Sequence, residues 1–172
     1  NGNIKKFVQY RGREAHAGGK PHKGINALNA ALMGLLGIHA QRETFRDEDY
    51  IRIHPIIIKG GDAVNIVPSD VRIDMQVRGA SFQAILDASR KVDRALEAGA
   101  MAIGAEVEIT NSPGYMPRVD CPPLSNLFRD NAVALLGEDA VGETGHRPSS
   151  TDAGDLSQLI PTIHPYVNGA EG

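Results

Sequence analysis

The sequence contains a single cysteine, Cys121, and no uninterrupted apolar stretch that approaches the roughly 20 residues of a membrane-spanning helix. One cysteine cannot build an internal disulfide framework. Cys121 also has no nearby basic activator in sequence, so we interpret its thiol as inert. These absences favour a cytoplasmic protein without a membrane partner.

Neither sign of charge dominates the chain. Its 18 lysines and arginines stand against 21 aspartates and glutamates, which gives a formal net charge of -3. Interspersed charges of this kind produce no field that would recruit nucleic acid or an anionic membrane. We therefore expect no nucleic-acid partner. The 41% hydrophobic content is enough for an ordinary core.

The amino terminus has neither a starting methionine nor the apolar core of a signal peptide. It begins at Asn1-Gly2-Asn3 and continues directly into a strand-like pattern. We expect this chain to be a segment of a longer protein.

Residues 4 to 111 alternate between patterns typical of strands and patterns typical of helices. The predicted order is a strand at 4–11, a helix at 24–42, strands at 50–58 and 71–77, a helix capped by Ser81 that ends near 99–104, and a strand around 107–109. This order predicts an α+β fold of the ferredoxin-like type, in which a four-stranded antiparallel sheet carries two helices on one face.

The chain changes character after Pro113, where proline-rich segments begin. We predict one helix at 124–136 and a short apolar strand at 162–167. A tail of this kind buries too little apolar surface to fold well alone. Residues 1–112 are therefore predicted to form one domain, and residues 113–172 a fragment of a larger α/β domain.

His16 stands in a glycine-rich stretch directly after the first predicted strand. Its small neighbours Ala15 and Ala17 leave an imidazole accessible at a strand end, where it could polarise a carbonyl or stabilise an oxyanion. A histidine that caps the following helix is the alternative. The local pattern does not decide between the two.

Gly60, Gly61 and Asn65 lie on a predicted loop between two strands. Glycines permit close backbone approach, and an asparagine offers both a donor and an acceptor to a ligand. An ordinary turn is the alternative. Arg78 ends the following strand, where a guanidinium could bind a carboxylate through two hydrogen bonds or remain a solvated surface charge.

In this order and on this pattern of strands, these segments resemble the lid domain of the aminoacylase and carboxypeptidase-G-type metallopeptidase family. The resemblance is greatest to its amidohydrolase branch, which includes p-aminobenzoyl-glutamate hydrolases. The matching segments are Ala15-His16-Ala17-Gly18, Gly24-Ile25-Asn26-Ala27-Leu28, Gly60-Gly61 with Asn65 and Pro68, Val77-Arg78, and residues 150–157 with Pro161 and His164-Pro165-Tyr166.

The resemblance implies that residues 1–112 are a lid and dimerisation domain and that residues 113–172 return in part into the catalytic domain. It implies a homodimer in which His16 reaches the partner's active site and stabilises the tetrahedral intermediate. Gly61, Asn65 and Arg78 would bind the substrate, the last two at its carboxylate. The expected reaction is hydrolysis of amide bonds in N-acyl amino acids or small dipeptides.

The family holds two divalent metal ions, usually zinc, through ligands that mostly precede the lid. None of those early motifs occurs here, and the sequence stops at Gly172 before the expected last ligand. We therefore predict no metal ligand in this segment and no activity from the segment alone. His146 near Asp152 and Asp155 lacks the spacing of a metal site. Ser149 and its neighbours lack a nucleophile elbow.

The rival interpretation is a stand-alone ferredoxin-like binding or dimerisation module without catalysis. Such a module should begin near Ile4 and end near Thr110, with no need of the tail. The presence of the tail favours the hydrolase segment.

Overall fold

A computed structural model describes residues 1–142 and 145–167 of the chain. Eight helices and strands are considered below. They are β1 (Gly2–Arg11), α1 (Ala27–Ala40), β2 (Arg52–Lys59), β3 (Asp70–Gly79), α2 (Phe82–Ile103), β4 (Glu106–Pro113), α3 (Pro122–Leu136) and α4 (Ala153–Leu156). The predicted order of the first six elements is confirmed, with boundaries that differ by a few residues.

The four strands form one antiparallel sheet in the order β2-β3-β1-β4. β1 and β3 occupy the centre and pair over their full length, from Gly2 opposite Gly79 to Arg11 opposite Asp70. This topology confirms the ferredoxin-like prediction. It also leaves β2 and β4 as the two edge strands.

The core lies between one face of the sheet and the two helices. The alternation of β3 explains this face, because its four apolar side chains are buried while the residues between them point to the other face. The buried side chains of β3 are Val71, Ile73, Met75 and Val77. From β1, Tyr10 is fully buried, and its hydroxyl donates a hydrogen bond to the Leu96 carbonyl at 2.9 Å.

Glycine lets the two helices approach each other closely. A Cβ atom at Gly99 would lie within 2.5 Å of the Ala30 carbonyl oxygen, so α1 and α2 could not keep this distance with a larger residue. Local signals set where each helix begins. The Asn26 side chain accepts hydrogen bonds from the first turn of α1, and Ser81 caps α2 as predicted.

The side chain of Lys6 in β1 is charged and has no exposed surface. Its ammonium group donates to Asp93 of α2 and to Asn111 of β4, both at 2.7 Å. A buried charge is tolerated only when it is paired and hydrogen-bonded. Lys6 therefore connects β1 to both α2 and β4 at one point in the core.

The segment after β4 lacks a core of its own in the described residues. α3 buries none of its residues, and Leu127, Phe128, Leu135 and Leu136 are exposed. The predicted helix at 124–136 is confirmed. The strand predicted at 162–167 is wrong, because these residues have no neighbouring strand among those described to pair with. The boundary at residue 112 stays a prediction.

No helix within residues 1–142 and 145–167 combines the length and the hydropathy needed to cross a membrane.

Candidate functional site

His16 and Asn65 lie on two neighbouring segments beyond the end of the β1–β3 ladder. Backbone hydrogen bonds continue the pairing there, since the Ala17 N–H donates to the Asn65 carbonyl and the Val67 N–H donates to the Ala15 carbonyl, both at 2.9 Å. His16 itself forms an isolated bridge with Ile66. The structure thus brings together two of the predicted site residues, and both are exposed.

Two backbone donors orient the His16 ring. The N–H groups of Gly18 and Gly19 point at its Nδ1 atom, at 3.2 and 3.0 Å. A nitrogen that accepts hydrogen bonds carries no proton, so the neutral imidazole has its proton on Nε2. His16 therefore presents a single N–H donor to its surroundings. This is the geometry that an oxyanion ligand requires.

The loop at 60–69 requires a glycine at position 61. Its φ of +142° lies in a region that residues with a side chain rarely adopt. The Asn65 side chain is exposed, and it forms no hydrogen bond within the described part of the chain. Its amide is thus available to a ligand from outside the domain.

Asp70 holds the base of this loop. Its carboxylate accepts hydrogen bonds from Gln9 on β1, Lys59 at the end of β2, and Arg72 on β3, over distances from 2.7 to 3.2 Å. Partial burial acts to raise the pKa of Asp70, but the hydrogen bonds from Arg72, Gln9 and Lys59 outweigh it and lower the pKa to about 2. One carboxylate therefore ties together the three strands next to the loop.

Arg78 lies at the opposite end of the sheet from His16. Its Nε and Nη2 atoms both donate to the side-chain oxygen of Gln76, at 3.1 and 2.7 Å, so the guanidinium is held along the open face of the sheet. Asn3 stands opposite Arg78 on β1, whereas Arg11 and Asp70 mark the other end of the same ladder. The structure does not bring Arg78 together with His16 and Asn65 within one chain.

Two clefts meet at Arg78. The cleft on the β1 side has a volume of about 320 Å³, and its lining includes Lys5, Tyr115 and Asp155. The cleft on the β2 side has a volume of about 570 Å³ and is lined by Arg52, His54, Gln76, Arg78, Pro148 and Ser149. Both clefts lie between the open face of the sheet and the segment that follows β4.

The sequence did not identify Arg52, Gln76 and Lys5 as residues that line the two clefts beside Arg78. The alternation of each strand places them on the open face, but only the register across the sheet shows that they surround Arg78. No local pattern in the sequence carries that register.

The residues around His146 do not assemble into a metal site or a triad. Asp155 accepts a hydrogen bond from the Met116 N–H at 2.8 Å, whereas the His146 ring stacks on Tyr50 with a centroid distance of 3.8 Å. Within residues 1–142 and 145–167 no three His, Cys, Asp or Glu side chains cluster closely enough to hold a metal ion.

A family profile described as the peptidase dimerisation domain matches residues 2–102, which is more than half of the chain. The chain belongs to the peptidase dimerisation domain family. The match covers β1, the His16 loop, β2, β3 and nearly all of α2. This confirms the resemblance found in the sequence and favours a segment of a hydrolase over a stand-alone binding module.

Comparison with individual proteins agrees with this assignment. The chain is 31% identical to the mouse Xaa-Arg dipeptidase over 92% of its length, and 31% identical to one of the subunits of the Escherichia coli p-aminobenzoyl-glutamate hydrolase over 87%. The crystal structure of an aminobenzoyl-glutamate utilization protein from Klebsiella pneumoniae superposes on 90% of the chain with a TM-score of 0.71 and 26% identity. The chain spans only 37%, 34% and 39% of these proteins, respectively.

Proposed function

We propose that this chain is the dimerisation and substrate-binding part of a metal-dependent amidohydrolase that cleaves amide bonds of N-acyl amino acids or small dipeptides. His16 would stabilise the developing oxyanion, and Gly61, Asn65 and Arg78 would bind the substrate. Two of the similar proteins named above, a dipeptidase and a p-aminobenzoyl-glutamate hydrolase, support the hydrolase part of this proposal. A single cysteine is consistent with the cytoplasmic location that we propose for the enzyme.

The orientation of His16 is the observation that carries this proposal. Because Gly18 and Gly19 occupy Nδ1, the Nε2–H group is the donor that remains for a ligand. A carbonyl oxygen gains negative charge as an amide is attacked, and a donor already in place stabilises that charge without reorganisation. A histidine that only caps the turn through Nδ1 has the same tautomer, so the exposed position of the Nε2–H group is what makes it available to a ligand.

The two divalent metal ions implied by the family, proposed to be zinc, do not fit the described residues. No cluster of three such ligands exists in residues 1–142 and 145–167, so these residues by themselves do not hold a metal centre. We accordingly assign to this chain only binding and oxyanion stabilisation. The exposed apolar residues of α3 suit a segment that packs against the rest of a larger protein.

We propose that two copies of the domain associate through β2 and α1. β2 is an edge strand with Ile56 and Ile58 exposed, and α1, which contacts β1 and β3 whereas α2 also contacts β4, exposes Leu32, Met33 and Leu36. The other edge strand, β4, presents mostly polar residues. An open apolar edge of this kind invites pairing with a second copy.

A twofold dimer of this type would build a composite site. Arg52, at the start of β2, stands beside Arg78, and Lys59, at the end of β2, leads into the loop that carries Asn65. When two copies of β2 pair antiparallel, the start of one strand lies beside the end of the other. The partner's His16 and the partner's Asn65 would then approach Arg78 of the first subunit.

Mixed dimers of the full-length protein test this arrangement. We would combine a His16→Ala subunit with an Arg78→Gln subunit and assay activity at substrate concentrations well below KM, where each homodimer is strongly impaired. In the mixed dimer one site would contain both substitutions and the other site neither, so about a quarter of the wild-type activity should return after random exchange.

The matched control combines His16→Ala with Asn65→Ala. Both residues come from the same end of one subunit, so no site in this mixed dimer is free of substitution and activity should stay low. If subunit exchange is demonstrated and the His16/Arg78 mixture stays as inactive as this control, the composite site is wrong.

A further inference from the structure

We propose that Arg52 and Arg78 together bind a substrate with two carboxylates, so that the amino acid released by the enzyme is acidic. This inference rests on the proposed function, because it assigns the side-chain specificity of the same site. Arg78 would bind the α-carboxylate, and Arg52 would bind the carboxylate of an aspartyl or glutamyl side chain.

The register of β2 and β3 places Arg52 directly opposite Arg78 on the open face of the sheet. Side chains directly opposite each other on antiparallel strands have Cβ atoms about 5 Å apart, and two like charges in this position destabilise the sheet. Neither guanidinium forms an ion pair with a carboxylate among residues 1–142 and 145–167. An anionic ligand bound between the two guanidinium groups would relieve this repulsion.

Both guanidinium groups retain unused donors. Arg78 donates through Nε and Nη2 to Gln76, and Arg52 donates through Nη1 to the Ile51 carbonyl at 3.0 Å. A guanidinium has five N–H groups in a planar fork, so each arginine still offers donors that match a carboxylate. Gln76 and the Ile51 carbonyl are uncharged acceptors, so they orient the two guanidinium groups without neutralising their positive charges.

The cleft between them favours an anion. Its described lining contains Arg52, His54, Gln76 and Arg78 but no carboxylate, whereas the cleft on the β1 side of Arg78 includes Asp155. The pKa of His146, which stacks on Tyr50 nearby, is lowered first by burial and also by the positive charge of Arg52. The β2 side of Arg78 is thus the side suited to a second carboxylate.

The test compares two substrates that differ in one charge. With the full-length enzyme, kcat/KM is measured for an N-acyl-glutamate and for the N-acyl-glutamine with the same acyl group. The wild type should have a kcat/KM about 10-fold or more higher for the glutamate substrate, because one additional charge-assisted hydrogen bond stabilises its binding by about that factor. Arg52→Gln should remove this preference by lowering kcat/KM for the glutamate substrate alone.

Arg90→Gln is the matched control, because Arg90 is an exposed arginine on α2, in the helical layer away from the open face. It should leave both substrates unchanged. A wild type that hydrolyses the two substrates equally, or that prefers N-acyl-arginine, overturns the assignment of Arg52. So does an Arg52→Gln enzyme that loses the same factor with both substrates.

A binding measurement separates this inference from the proposed function. By calorimetry, the wild type should bind glutarate more tightly than butyrate, and Arg52→Gln should bind the two alike. If no N-acyl amino acid is hydrolysed but glutarate is still preferred in an Arg52-dependent way, the hydrolase proposal fails while the dicarboxylate site stands. If glutarate is not preferred, the dicarboxylate site is wrong whatever the activity.

Discussion

His16 lies beyond one end of the ladder that joins β1 to β3, and Arg78 lies near the opposite end, where it pairs with Asn3. The ladder contains ten residue pairs, from Arg11 opposite Asp70 to Gly2 opposite Gly79. At the usual rise of a strand this ladder is about 30 Å long, which is far longer than an N-acyl amino acid. If both residues act on one substrate, they must therefore come from different subunits.

The first prediction concerns His16. Replacing it with alanine in the full-length enzyme removes the Nε2–H donor and should lower kcat by about 100-fold to 1000-fold, with little change in metal content. Steady-state kinetics and metal analysis of the purified variant provide the measurement. His22→Ala, an exposed histidine on the same loop, is the control and should retain activity. Equal losses in the two variants would count against an oxyanion role.

Arg78→Gln should weaken binding of the substrate's carboxylate. We expect KM to rise by about 10-fold or more for substrates with a free carboxylate, because a charge-assisted contact is lost. The same variant should show little change with the corresponding carboxamide substrates, which lack the charge. A parallel loss with carboxylate and carboxamide would mean that Arg78 supports the fold of the site and does not bind the anion.

The third prediction tests the dimer surface. Leu36 is 67% exposed on α1, and a glutamate there would have to be buried against the second copy. Leu36→Glu should therefore weaken the dimer by at least about 10-fold, as measured by sedimentation at several concentrations. Leu135→Glu changes a residue that is 83% exposed on α3 and should leave the dimer intact. An unchanged dimer in the Leu36 variant would place the interface elsewhere.

Asp70 should stabilise the domain in a way that depends on pH. Its pKa is lowered to about 2 in the folded chain, so its contribution is fully present above its ordinary pKa near 3.8 and is lost as the pH falls towards 2. Because the carboxylate is partly exposed, we expect Asp70→Asn to lower the free energy of unfolding by only about 1 kcal/mol at pH 7. Denaturant unfolding should show this difference shrinking below pH 4. A constant difference down to pH 2 would contradict the ionic origin.

The buried pair of Lys6 and Asp93 should respond unequally to its two single substitutions. Asp93→Ala leaves an ammonium with no exposed surface and should cost about 3 kcal/mol of unfolding free energy. Lys6→Met leaves a carboxylate whose side chain is 25% exposed and can be hydrated, so the cost should be nearer to about 1 kcal/mol. Urea unfolding of both variants measures the difference, and a reversed order would show that Asp93 is the less hydrated partner.

The fold could be predicted from the sequence because its signals are local. The alternation from Val71 to Val77 identifies β3 and its buried face, and Ser81 marks the start of α2 through a hydrogen bond to Ala84 three residues away. The strand predicted at 162–167 failed for the complementary reason. A strand exists only where a neighbour supplies its hydrogen bonds, and a sequence window contains no information about that neighbour.

The site could be predicted only as separate residues. His16, Asn65 and Arg78 were identified by residue type and by resemblance, but their grouping depends on contacts that are distant in sequence. The approach of Ala17 to Asn65 and the pairing of Arg52 with Arg78 follow from the register of the sheet, whereas the tautomer of His16 is set locally by Gly18 and Gly19. The sequence by itself determined the order and the faces of the elements, because propensity and periodicity act within a few residues. The tertiary structure decided which charged and polar groups meet, because backbone pairing between distant strands positions them.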